Sequence, residues 1–214
     1  MVDILVIFHS VGGHTFKMAE AIAEGISSVG GCEANLKQII EPPGADAILL
    51  PKVDNRKSDF SHIPVARVED LEDCDGVAIG TPVFWGNMSS ATKYFLEQTM
   101  QLWTLPPDPV KPPQSLLGKP ATVFVAGGGG HANDLAIQSV WTTLSIYGMT
   151  IVTVGLNVPE VTDLSEVRGG GSLGAGTWSR APGKRPSAKE LAIARAQGRT
   201  LAEVARAWRD RPTD

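Results

Sequence analysis

A chain of 214 residues, 43% hydrophobic and 20% charged, has the length and balance of one soluble globular domain with a substantial core. The formal charge of −4 excludes the basic stripe of a nucleic-acid surface and is mild for an acidic electron carrier that steers to basic partners. Cys32 and Cys74 form no C-x-x-C pair and imply no disulfide framework, no apolar run is long enough to span a membrane, and no basic leader precedes the first strand. A single cytoplasmic domain over residues 1–214 is expected.

In chain order, Ile4–Phe8 is a continuous apolar run, the pattern of a parallel strand buried on both faces. His9-Ser10-Val11-Gly12-Gly13-His14-Thr15 follows and leads into Ala19, Ile22, Ala23 and Ile26, spaced as one helix face that ends at Gly30-Gly31. A strand that enters a glycine turn and then a helix presents unpaired N–H groups and positive potential to an anion. Ser10 and Thr15 add a hydroxyl at each end. The turn has no Lys or Arg and matches neither the P-loop nor the dinucleotide fingerprint, so it suits one terminal phosphate monoester. Taken alone, it reads first as a βα turn made tight by glycine, and the other loops carry the functional reading.

Glu33–Ile39 alternates and predicts an edge strand, and residues 40–66, with the apolar patch Ala47–Leu50, predict an irregular excursion. Gly76–Thr81 is the third strand. It runs into Thr81-Pro82-Val83-Phe84-Trp85-Gly86-Asn87-Met88, and Ala91, Tyr94, Phe95 and Gln98 then mark a helix. Five prolines between Leu102 and Leu117 predict a stiff loop. Ala121–Ala126 is the fourth strand, followed by Gly127-Gly128-Gly129-Gly130-His131 and a helix with Ile137, Val140, Trp141 and Leu144 on one face. Thr150–Val154 is the fifth strand; residues 157–186 show no period. A capping box, Ser187-x-x-Glu190, opens the last helix, whose stripe runs Leu191, Ala194, Gly198, Leu201, Ala205, Trp208.

Five strands separated by helices predict an α/β, doubly wound five-stranded parallel sheet of order 2-1-3-4-5 with helices on both faces. Ligands of such sheets sit beyond the carboxyl ends of the strands. The three loops of unusual composition all fall at that edge: a phosphate turn, an aromatic loop beside a proline, and a glycine run that lets a planar ring approach backbone. They describe a flat heteroaromatic with a single phosphate, which fits flavin mononucleotide (FMN) better than a dinucleotide.

On Ser10–Thr15, Gly80-Thr81-Pro82, Gly86-Asn87-Met88, Trp141–Leu144, Val167–Gly170, Pro186-Ser187 and Glu190-Leu191, the chain resembles the flavodoxin-like NAD(P)H:quinone oxidoreductases of the WrbA type over most of its length. The resemblance implies a flavodoxin-like fold carrying FMN, reduced by NADH or NADPH and reoxidised by a quinone, in a homo-oligomer (dimer or tetramer) whose flavin pockets are completed by neighbouring subunits. It places the phosphate on Ser10, Val11, Gly12, Gly13, His14 and Thr15. The ring lies between Pro82, Val83, Phe84, Trp85, Gly86 and Asn87 on one side and Ala126, Gly127, Gly128, Gly129, Gly130 and His131 on the other. It puts Trp103 and the position of Ile146 on the substrate side. No side chain is expected as acid, base or nucleophile, since the flavin carries the redox chemistry, and no metal is expected. The chain departs from the family at Gly12 (commonly aromatic), at Val83-Phe84-Trp85 (usually arginine then phenylalanine), at Ile146 (a histidine) and at Trp178–Pro182 (a G-G-D-G segment). An electron carrier, or a regulatory protein with an eroded flavin site, are the alternatives on the same scaffold.

Overall fold

The computed structural model describes residues 1–44, 60–103 and 113–211. The patch Ala47–Leu50 and most of the proline-rich segment lie outside the described residues.

Strands β1 (Val2–Phe8), β2 (Cys32–Gln38), β3 (Gly76–Phe84), β5 (Pro120–Gly127) and β6 (Thr150–Ile151) form a parallel sheet in the order β2-β1-β3-β5-β6. This is the expected flavodoxin-like winding. The continuous apolar runs have a simple cause, since alternate residues of one strand enter different cores. Ile4, Val6 and Phe8 pack with helices α1 (His14–Ser27) and α6 (Ala188–Arg209). Leu5 and Ile7 pack with α3 (Ser90–Gln98) and α4 (Asn133–Ile146) on the other face. Two four-residue helices, α2 (Asp70–Asp73) and α5 (Pro159–Thr162), lie in connections. No described helix is long and apolar enough to cross a membrane.

Three elements differ from expectation. The loop expected at Thr81–Met88 is a hairpin: β3 continues through Phe84, turns at Trp85-Gly86 and returns as β4 (Asn87–Met88). The fifth strand is split. β6 ends at Ile151, with the Val152 N–H still donating to Ala121 O at 2.8 Å. Its place beside the far half of β5 is taken by β7 (Gly176–Trp178), drawn from the segment with no period. Both must lie on one edge of β5, because β3 occupies the other from Ala121 to Gly127. A three-residue strand is too short for alternation to register.

Glu190 explains how β7 is held. It closes the predicted capping box with Ser187, and its fully buried carboxylate also accepts from Gly169 N, Trp178 N and Thr177 Oγ1. The Arg185 guanidinium, 3.2 Å away, supplies the balancing charge. One side chain thus ties the start of α6 to β7 and to the glycine segment outside it.

Candidate cofactor site

The carboxyl ends of β1, β3 and β5 are neighbours, so the sheet alone brings the three sequence-singled loops to one rim. His9 N donates to Gly80 O at 3.0 Å, Val83 pairs with Gly127, and a Cβ built on Gly86 would stand 3.3 Å from the Ala132 methyl at the start of α4.

The turn after β1 ends in Gly13, whose φ of 80° makes it the left-handed N-cap of α1. The N-cap residue offers no side-chain cap and the first turn carries no acid. Helices α3 and α6, by contrast, are capped by Ser89 and Ser187. Ser10 and Thr15 are buried, and Ser10 Oγ accepts from Phe16 N at 3.3 Å, which fixes the turn against the helix. The arrangement leaves helix N–H groups and two hydroxyls for an anion, with the nearest carboxylate, Glu41, paired to His9 in the cavity beside Ser10. Gly12 lies outside the left-handed region, and a Cβ there would meet nothing nearer than His14 Nδ1 at 3.5 Å.

Behind this turn sits a polar cluster that the sequence did not announce. The buried His9 ring shares hydrogen bonds with Ser89 Oγ (2.8 Å) and with Glu41 Oε1 (2.9 Å). Ser89 Oγ also accepts from Thr92 N, and Ser89 N donates to Thr81 Oγ1 at 3.0 Å. The cluster pins the ends of β1 and β3, the start of α3 and the excursion after β2 to one another. Residues 9, 41 and 89 are too far apart in the chain for a pattern to link them.

At the hairpin tip, Trp85 has φ 54° and is fully exposed, a left-handed conformation that a bulky residue rarely adopts. Trp85, Phe84 and Met88 head an open groove of about 790 Å³ that runs down between α3 and α4 as far as Ile146.

The glycine run is partly engaged by the chain itself. Trp178 Nε1 donates to Gly128 O at 2.9 Å, Ser179 N donates to Gly127 O at 2.9 Å, and a Cβ on Gly130 would stand 2.8 Å from the Trp178 ring. A Cβ on Gly127 would stand 2.1 Å from Asn133 Oδ1, a buried oxygen with no hydrogen-bond partner among the described residues. Glycine is therefore required at both positions. The Gly127 and Gly128 carbonyls are thus taken by the segment around β7.

Trp103 is not at this rim. Helices α3 and α4 both start there and run back along the sheet. Trp103 follows α3, and its Nε1 donates to Tyr147 OH at 3.1 Å, at the far end of α4. Ile146 is the last residue of α4 and is exposed. Within one chain, Trp103 is thus a helix length from the three loops, whereas Ile146 shares the groove with Phe84 and Trp85.

The sheet order defines a flavodoxin-like α/β protein with the three loops gathered at its strand ends. The model of the NADPH-dependent FMN reductase family matches residues 2–163, and the chain belongs to that family, a class of flavin-dependent oxidoreductases. Solved structures share the fold. A flavodoxin, WrbA-like protein from Agrobacterium tumefaciens matches at TM-score 0.63 and 20% identity, over 97% of this chain and 99% of its own. RosB, solved with bound 8-demethyl-8-formylriboflavin-5′-phosphate, matches at TM-score 0.64 and 15% identity over 100% and 82%. An oxidoreductase from Corynebacterium diphtheriae matches at TM-score 0.54 and 18% identity over 97% and 98%.

Proposed function

We propose that the protein is an FMN-dependent NAD(P)H:quinone oxidoreductase of the WrbA type, working as a homo-oligomer. The observation that carries the reading is the open N-terminus of α1: a glycine cap, two buried hydroxyls and no acid in the first turn, beside two further loops on adjacent strand ends. The residues present fit FMN, because this donor set suits a phosphate monoester and the buried Asn133 Oδ1 beside the glycine run has no hydrogen-bond partner among the described residues. When bound, FMN supplies two-electron redox chemistry that no side chain here can.

The chain's own work is to hold and to shield. Ser10, Thr15 and the N–H groups from Val11 to His14 take the phosphate. Pro82–Asn87 bounds one side of the ring, with Trp85 as an exposed wall, while Ala126–His131 offers backbone N–H groups to the polar edge. Trp103, remote within the chain, serves an acceptor site only across an oligomer contact, while Ile146 lines the groove below Trp85. Reductant and quinone then use one open side in turn, which gives ping-pong kinetics.

The test is anaerobic mixing of the FMN-loaded protein with NADH or NADPH, followed by benzoquinone. Loss of the flavin absorbance and its return on quinone addition, with parallel initial-velocity lines, is expected. No FMN uptake, or no absorbance loss with either nucleotide, would overturn the reading.

A further inference from the structure

The segment that departs most from the WrbA-type pattern, Trp178-Ser179-Arg180, is the one β7 delivers to the glycine run. Trp178 is anchored there at its indole N–H, its ring lies against Gly130, and the exposed His131 ring stands 5.7 Å from it at 53°. The two rings make a ledge whose position is fixed by a strand on one side and a turn on the other.

Arg180 lies directly beside this ledge. Its Nε would be 3.6 Å, and its Cζ 4.0 Å, from a Cβ built on Gly128. The side chain is exposed and has no ion pair or hydrogen bond among the described residues. Two cations of the same region are committed elsewhere: Arg185 to Glu190, and Lys189 to Asp163. A guanidinium with all its donors open, next to aromatic rings at a cofactor rim, has the chemistry to hold a phosphate attached to a planar base. The fork takes the phosphate oxygens bidentately and the rings stack on the base.

We propose that Trp178, His131 and Arg180 form the adenylate subsite of the nicotinamide reductant, with Arg180 as its phosphate contact. The proposal rests on the assignment of Gly127–Gly130 to the cofactor rim. Two phosphates could supply the anion, the 2′-phosphate that distinguishes NADPH and the 5′-phosphate common to both nucleotides. The first makes the protein selective for NADPH; the second leaves it indifferent.

Calorimetric titration of the FMN-loaded protein with adenosine 2′,5′-bisphosphate, 5′-AMP and adenosine separates these cases. Arg180→Gln is expected to weaken the bisphosphate about tenfold and to leave adenosine unchanged, with partial recovery in Arg180→Lys. Loss confined to the bisphosphate assigns the 2′-phosphate, and the KM for NADPH then rises while that for NADH holds. Equal loss for 5′-AMP assigns the 5′-phosphate. Unchanged affinities in Arg180→Gln, or no adenylate binding to the wild type, overturn the proposal. Adenylates that bind through Arg180 without either nucleotide reducing the flavin would overturn the oxidoreductase reading and leave this subsite standing. Flavin reduction with affinities indifferent to Arg180 would do the reverse.

Discussion

Gly198 of α6 packs against the backbone of Ile22 in α1 so closely that a Cβ would stand 2.1 Å from the Ile22 carbonyl oxygen. Gly25 makes the reciprocal approach, its Cβ position 2.0 Å from Arg195 O. The two helices therefore meet backbone to backbone, and no rotamer change can make room for a methyl group. Gly198→Ala is expected to destabilise the protein by about 3 kcal/mol, the upper end for overpacking. That lowers the melting temperature by roughly 6–12 °C. A shift of less than two degrees would mean that the helices separate freely.

The phosphate turn separates a structural hydroxyl from a binding one. Ser10 Oγ already accepts from Phe16 N, so Ser10→Ala removes a hydrogen bond from the apo-protein as well as from any ligand. It should cost about 1 kcal/mol of stability and about tenfold in FMN affinity. The isosteric Thr15→Val keeps the buried shape. It is expected to lose a similar factor in FMN affinity at nearly unchanged melting temperature. Fluorescence titration of FMN beside thermal unfolding reads both; unchanged FMN affinity in Thr15→Val removes Thr15 from the site.

Glu190 is where stability and site meet. Its carboxylate gathers four donors and the Arg185 charge in a fully buried position. Glu190→Ala strands Gly169 N, Trp178 N and an unpaired guanidinium, an expected loss of about 3–5 kcal/mol. Amide exchange at Thr177 and Trp178 should rise before that of the central strands, because β7 depends on this one anchor. Uniform exchange across the sheet would contradict that dependence.

What the sequence made legible follows from periodicity and local chemistry. Strands β1, β3 and β5 are long apolar runs between glycine-rich turns, so their existence, order and rim were readable. The capping box at Ser187 is a four-residue signal and held as read. β7 was illegible because three residues carry no period and their partner lies some fifty positions away on β5. The His9–Ser89–Glu41 cluster and the Trp178 lid over the glycine run were hidden for the same reason. Trp103 was placed from resemblance alone, and residue matching says nothing of which end of α3 it reaches within a chain.

Gly12 offers a test in the opposite direction from Gly198. It needs no left-handed backbone, and a Cβ would touch only His14 at an ordinary contact distance. Gly12→Ala should therefore fold normally and gain about 0.5 kcal/mol by restricting the unfolded chain. FMN affinity should stay within a factor of about two, since the N–H group remains. A large loss of affinity would show that a side chain at this position blocks the phosphate.

Lys119, at the opposite end of the sheet, gives a pH signature. Its buried ammonium donates to the carbonyls of Leu71 (2.6 Å) and Glu72 (3.0 Å) around α2. Burial pushes its pKa below the ordinary lysine value of 10.5, and the nearby Cys74, Asp75, Glu72 and Asp73 restore only part of the loss. The unfolded chain thus keeps this proton to higher pH than the folded one. Lys119 weighs against the folded state throughout the pH range below its lowered folded value, and that penalty fades as pH climbs from there to 10.5. Lys119→Met removes the proton and the two donated hydrogen bonds together. The difference in melting temperature between wild type and Lys119→Met should accordingly move in favour of the wild type as pH rises through that interval. A difference that stays flat up to pH 10.5 would show that the folded protein holds this proton as firmly as the unfolded chain does.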